Sequence, residues 1–299
     1  MRPPQRVEST KKTPDDPRVK PLRVNVNVVL VPVVVSDAMN RPILGLEKQN
    51  FTLSDNDQQQ EIQYFSSEDS PISVGLLVDV SKSMTDKVDA EREAVSEFFK
   101  NANPEDDYFV VTFSTQPEVL TEVTQSIGTI ESKLGGVVPK GSTAMLDAIS
   151  VAMSRLRTAK YKRRALLIIS DGGDNNSHHK YRDIKRLVRD SDVEVYAIGL
   201  FDTTFFKTYE EFMGKKWLSE ITDATGGRTV TIDNASKMGP ASAAISTEMR
   251  SQYVLGYRPS NTLTDGKRRK IKVNVINPGA GDAQLQAYYK RGYIIPKEK

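Results

Sequence analysis

Residues 74–84 read Val-Gly-Leu-Leu-Val-Asp-Val-Ser-Lys-Ser-Met. The stretch 74–80 is a near-continuous apolar run, as expected for a strand covered on both faces. It delivers Asp79, Ser81 and Ser83 into one turn, and a helix follows over 86–101, with apolar residues at Val88, Val95, Phe98 and Phe99. A carboxylate and two hydroxyls are hard oxygen ligands. They suit Mg²⁺ or another hard divalent cation and suit zinc poorly.

Downstream of this unit, strand and helix signals alternate. Strands are predicted over 108–113, 118–123 (a short edge), 165–169, 193–198 and 229–232, and helices over 143–156, 181–190, 212–224 and 235–249. That alternation predicts a parallel sheet with helices on both faces. Right-handed crossovers then give a doubly wound α/β fold whose ligands bind beyond the C-terminal ends of the strands. Two further features fall at such ends: Lys140-Gly141-Ser142-Thr143-Ala144 before a helix, and Ile168-Ile169-Ser170-Asp171-Gly172-Gly173-Asp174 after a strand.

Asp-x-Ser-x-Ser after the first strand, a Gly-x-Thr loop before a helix and an Asp ending a later strand resemble the metal-ion-dependent adhesion site of the von Willebrand factor type A domain family. The resemblance covers roughly residues 72–250. It implies a Rossmann-like sheet and a metal site of Asp79, Ser81, Ser83, Thr143 and Asp171, with Mg²⁺ as the ion and Mn²⁺ or Ca²⁺ as substitutes. The three hydroxyls would coordinate the metal, with the two aspartates acting directly or through water. The ion, contacted by few protein charges, would accept an Asp or Glu from a protein partner, an act of binding in which no bond is made or broken. The flanks resemble bacterial von Willebrand factor A-related proteins that carry β regions on both sides of the A domain. The residues behind this are Leu44-Gly45-Leu46, Phe51-Thr52-Leu53, Thr225-Gly226-Gly227-Arg228, the segment 253–257 and Arg291-Gly292-Tyr293. Members of that group are commonly exported, whereas the polar start of this chain shows no hydrophobic stretch of signal-peptide type.

The flanks also carry their own signals. Residues 1–21 hold five prolines among polar and charged residues, a composition read as a disordered or extended arm. From 22 the valines 24, 26 and 28 alternate with polar residues, a period-2 strand signal, and the chain continues or bends at Pro32. Phe51 and Leu53, then 61–65, give two short strands around the turn Asp55-Asn56-Asp57. After 252 the strands return, at 253–257, 270–276 and 284–289. The expected organisation is an arm (1–21), a first part of a β-sandwich (22–69), the A domain (70–250) and the second part of the same sandwich (251–299).

Composition narrows the chemistry. The 299 residues contain no cysteine, which excludes disulfides, zinc–thiolate centres and thiol catalysis. The only histidines are the adjacent His178 and His179, so multi-histidine centres and a Ser-His-Asp triad are not expected. Lys and Arg number 42 against 39 Asp and Glu, a net charge of +3, without the basic excess of a nucleic-acid binder. The longest apolar run, 28–35, is far short of the ~20 residues of a membrane span.

The remaining residues have plain readings. Asp174 and Asn175 are solvated loop residues, and His178 and His179 are exposed near a helix start. Lys267-Arg268-Arg269-Lys270 is a charged hairpin edge. Trp217 packs at a helix start, and Gly226-Gly227 ends a helix. Two other functions stay open. One is a Mg²⁺-dependent hydrolase or phosphatase on a similar sheet, disfavoured because Ser81 stands where a general-acid carboxylate would be wanted. The other is a scaffold with a vestigial metal site.

Overall fold

The computed structural model describes residues 28–67, 69–201, 209–261, 265–277 and 285–294, the arm 1–21 and the alternation at 22–27 lying outside these. The chain opens with β1 (Val29–Ser36), β2 (Phe51–Asp55), β3 (Gln58–Gln60) and β4 (Ile62–Ser66). The α/β unit then runs β5 (Ser73–Asp79), α1 (Val88–Phe99), β6 (Asp107–Phe113), β7 (Pro117–Thr124), α2 (Ile127–Gly135), α3 (Met145–Leu156) and β8 (Arg164–Ser170). It continues through α4 (Tyr181–Arg189), β9 (Glu194–Leu200), α5 (Tyr209–Thr225), β10 (Thr229–Ile232) and α6 (Met238–Arg250). Four strands close the chain: β11 (Gln252–Tyr257), β12 (Arg268–Val275), β13 (Gln286–Tyr289) and β14 (Gly292–Ile294).

The six-stranded sheet has the order β10-β9-β8-β5-β6-β7, parallel except for the antiparallel edge strand β7. β5 is buried along its whole length, which is what its apolar run requires. Its even-numbered residues, with Ala94, Phe98, Ile245 and Met249, fill one core between the sheet and α1, α2 and α6. Leu77 faces the other way, into a second core with Leu146, Ile149, Ile184 and Leu218 of α3, α4 and α5. The connection from β5 to β6 therefore runs over one face and the return to β8 over the other. The chain diverges at the C-terminal ends of β5 and β8, where doubly wound sheets bind ligands.

The terminal strands form two antiparallel sheets, β13-β1-β11-β4 and β14-β12-β2-β3. Val31, Val33, Val35, Tyr253 and Leu255 of one pack on Phe51, Leu53, Ile271 and Val273 of the other. The sandwich is thus built from both ends of the chain, as the sequence predicts. α6 enters it through a single residue, Ser251, before β11 begins.

Several expectations change. Pro32 does not bend β1. The strand runs through it, since its β13 neighbour reaches only from Val33 to Ser36 and Pro32 pairs on the β11 side alone. The turn at Asn56 and Asp57, both with positive φ, joins β2 to the three-residue β3. The strand predicted over 61–65 crosses to the other sheet and pairs with β11. α2 was not predicted; Ser126 caps it, and Ile130 and Leu134 form its buried face. The basic run 267–270 is no hairpin edge. It enters β12, an inner strand between β14 and β2, and Arg269 is buried. Trp217 lies inside α5, stacked on Tyr181 at 5.0 Å between ring centroids. Gly226 does end α5, with φ +95.

Candidate functional site

Asp79 is the last residue of β5 and is fully buried. Its Oδ1 accepts the Ser81 N–H at 3.0 Å and its Oδ2 accepts the Ser170 hydroxyl at 2.6 Å. The first bond folds the chain back after the strand, so that Ser81 and Ser83 stand together with their Oγ atoms 3.0 Å apart, Ser81 buried and Ser83 exposed. Val80 and Lys82 tie this turn to its neighbours through Val80 N–H to Phe113 O (2.8 Å), Lys140 N–H to Val80 O (2.8 Å) and Lys82 N–H to Gly141 O (3.1 Å).

Thr143 arrives from the adjacent loop, just before α3, and is 4% exposed. Its backbone N–H donates to Asn175 Oδ1 at 2.9 Å, and its carbonyl accepts from both Asn175 and Asn176 at 3.0 Å. Asp171 follows β8 and is 8% exposed, with its Oδ2 3.4 Å from the Lys87 ammonium. All five residues named from the sequence thus lie on the three loops at the C-terminal ends of β5 and β8 and the N-terminus of α3.

The two aspartates act on each other electrostatically. Burial, and next the negative charge of Asp171, push the Asp79 carboxyl up to about 7, against the bonds from Ser170 and Ser81 that lower it. The sign of the resulting pH effect follows from linkage. Between about pH 4 and 7 the folded chain holds a proton on Asp79 that the unfolded chain has released, so stability falls as pH rises through that window and levels off above it. In chelator, Asp79→Asn should therefore gain on the wild type as pH rises from 4.5 to 7.5. At ~1.4 kcal/mol per pKa unit the upper bound of the gain is about 4 kcal/mol. Urea denaturation at both pH values measures it, and a difference that stays constant contradicts the buried aspartate pair.

The surrounding residues hold the loops. Asp174 is no solvated residue: its Oδ2 accepts the Leu146 N–H at 2.8 Å and the Ser177 hydroxyl at 2.7 Å, capping the start of α3. His178 and His179 precede α4 and both turn to one carboxylate. Their backbone N–H groups donate to Asp147, and their Nδ1 atoms lie 3.0 and 2.7 Å from its oxygens. Burial alone would raise Asp147; these bonds outweigh it and hold the carboxyl well below the usual range. The pair is a clamp on the loop that follows Asp171.

Three residues at the site were not singled out from the sequence. Ser170 bonds Asp79 and also accepts the Gly172 N–H at 2.9 Å. Lys87 faces Asp171. Glu91, on α1, is buried, and neither of its oxygens has a hydrogen-bond partner among the described residues. Its sequence signal was its position: it shares the helical stripe of Ala94, Val95 and Phe98 at spacings of three, four and seven.

The donor set fits a hard divalent cation. It consists of hydroxyl and carboxylate oxygens held on short loops. Among the described residues no group of three or more carboxylates and imidazoles could hold a metal, so an ion here would depend on the hydroxyls.

Residues 74–173 match the model of the von Willebrand factor type A domain family. No curated protein matches the chain. A solved von Willebrand factor type A protein from Catenulispora acidiphila is similar with a TM-score of 0.52 at 12% identity, over 91% of this chain and 74% of that one. That extent takes in sandwich strands as well as the six-stranded sheet. Proximal thread matrix protein 1 from the mussel byssus is similar with a TM-score of 0.51 at 15% identity, over 66% of this chain and 51% of that one. At these identities the likeness is one of fold.

Proposed function

The chain carries a von Willebrand factor type A domain, and from that premise we propose that it is a non-enzymatic, cation-dependent protein-binding module. Domains of this family typically serve as protein-interaction modules. What supports the cation-dependent reading is that the three strand-end motifs offer oxygen donors only and are tied to one another, through the Ser170 hydroxyl to Asp79 and the Lys82 N–H to Gly141 O. Ser81, Ser83 and Thr143 would hold Mg²⁺ or Mn²⁺ through their hydroxyls, with Asp79 and Asp171 acting directly or through water. The ion supplies an electrophilic position that accepts an Asp or Glu carboxylate from a protein partner. Asp79 orients the serine turn through the Ser81 N–H, and Ser170 holds Asp79 in place.

Isothermal titration at low ionic strength tests this reading. The wild type should bind Mg²⁺ or Mn²⁺ saturably, and Asp79→Ala and Thr143→Ala should each weaken binding by about tenfold or more. Absence of cation binding in the wild type would overturn the reading. Partner capture that survives EDTA and Asp79→Ala would move the function to the scaffold. Turnover of phosphate esters lost in Ser81→Ala would make the protein an enzyme.

A further inference from the structure

A sandwich sheet turns apolar residues inward and polar ones outward. The sheet β13-β1-β11-β4 departs from this. Val31, Val33 and Val35 of β1 point into the sandwich core, so Leu30, Pro32 and Val34, with Val28 just ahead of the strand, share the outer face. Register sets Val254 of β11 beside Pro32 and Tyr288 of β13 beside Val34. This outer stripe is covered at one end only. Val34 is 2% exposed, whereas Leu30 is 53% and Val28 42% exposed.

A cavity of about 500 Å³ lies over the stripe, within the range of sites for small organic ligands. Its far walls are residues 162–164, at the start of β8, and 192–194, at the start of β9, with Lys290 and Ile294 beside them. The cavity therefore sits at the N-terminal ends of the parallel strands, the pole opposite the candidate cation site. At ~3.3 Å per residue the stripe from Val28 to Val34 runs for about 20 Å, a length that suits an extended chain better than a compact ring.

Two half-buried cations of the lining have donors to spare. The Lys290 ammonium has three N–H groups. One goes to the Ser191 carbonyl oxygen, and the Asp192 carboxylate stands 3.6 Å away, 94% exposed. The Arg164 guanidinium has five N–H groups, and only Nε finds a partner among the described residues, the Tyr161 carbonyl oxygen. The neighbouring charges are engaged elsewhere. Arg163 donates to the Ser70 and Met249 carbonyl oxygens and to Gln252, and Glu194 accepts from Gln252 and Tyr196.

We propose that this cavity binds a chain-like amphipathic anion, a long-chain carboxylate, with its hydrocarbon along Leu30, Val28 and Val254 and its head at Lys290 and Arg164. An acyl chain covers the open end of the stripe, and a carboxylate takes the unused N–H groups. The site goes beyond the cation-binding reading and does not depend on it. Because its walls come from both the α/β unit and the sandwich, the bound ligand joins the two and raises the melting temperature by mass action.

The test uses the full chain in chelator, with the fluorescent carboxylate dansyl-undecanoic acid as probe. The wild type should bind the probe saturably, at one site per chain. Palmitate should displace it about tenfold more effectively than hexadecanol, which has the chain without the charge. Leu30→Glu, at an exposed position, should melt close to the wild type and weaken probe binding about tenfold or more. Arg164→Gln and Lys290→Gln should each erode the preference for palmitate over hexadecanol. Absence of saturable binding in the wild type overturns the proposal, as does binding that Leu30→Glu leaves unchanged. Equal displacement by palmitate and hexadecanol overturns the anionic class of ligand. Flotation with phosphatidylglycerol vesicles that palmitate does not reduce would make the stripe a membrane-contact face and overturn the cavity site. Each of these outcomes leaves the cation-binding reading untouched.

Discussion

Asp106→Ala should lower stability by about 3–5 kcal/mol, the range for removing one partner of a buried ion pair. The residue is fully buried. It accepts the Ile72 N–H at 2.9 Å, the Asn103 N–H at 3.1 Å and the Tyr108 hydroxyl at 2.8 Å, and it pairs with the Arg250 guanidinium. One carboxylate therefore pins the entry to β5, the entry to β6 and the C-terminal end of α6. Alanine would strand a buried backbone donor and a buried phenol, and would leave the mostly covered Arg250 guanidinium paired with Asp69 alone among the described residues. The expected drop in melting temperature is about 10 °C, read by calorimetry in chelator so that no cation masks it. A change below about 1 kcal/mol would mean that Asp106 is not the anchor of this corner.

The second large effect is expected at Gly214, where α5 meets the loop after Asp171. A Cβ built on Gly214 would lie 1.4 Å from the carbonyl oxygen of Gly172 and 2.2 Å from its carbonyl carbon. Gly172 has no room of its own. Its φ is +81, and a Cβ there would lie 2.5 Å from the Phe201 ring. Two backbones meet without an intervening side chain, so neither can yield locally. Gly214→Ala must push α5 and the loop apart, at an expected cost of about 3 kcal/mol, the upper end of ordinary overpacking. The displaced loop carries Asp171, so Mn²⁺ affinity should fall along with the melting temperature. An alanine variant that melts and binds like the wild type would contradict this close approach.

The α/β core was legible because its signals are local. The apolar run 74–80 stated a buried strand, and the residues that end it stated the site. Other features depend on partners distant in sequence. Arg269 shows the difference: period 2 from Ile271 and Val273 does place it on their inner face, but whether that face is covered depends on β2, more than 200 residues earlier. The crossing of β4 to the opposite sheet has the same cause, because its partner β11 is equally remote. α2 was lost among Gly and Thr, although Ser126 with Ile130 and Leu134 carries a cap and an i, i+4 pair. At the site, the ligand types and the strand ends were readable. The clamp of His178 and His179 on Asp147 was not, because it needs both residues to lie just outside the helix.

The pairing of Val29 with Tyr257 sets an order in time. β1 leaves the ribosome long before β11 exists, and at ~5–20 residues per second the wait is roughly 10–45 s. Throughout that interval an apolar strand stands without its central partner. The α/β unit, whose parallel strands lie close in sequence, can complete itself first and bring the two ends of its own chain together. The sandwich can then close, with β11 delivered to β1 directly by the end of α6. A nascent chain halted before residue 252 would hold its strand-end crevice nearly whole while exposing half of an unfinished sandwich, a form well suited to capture by chaperones.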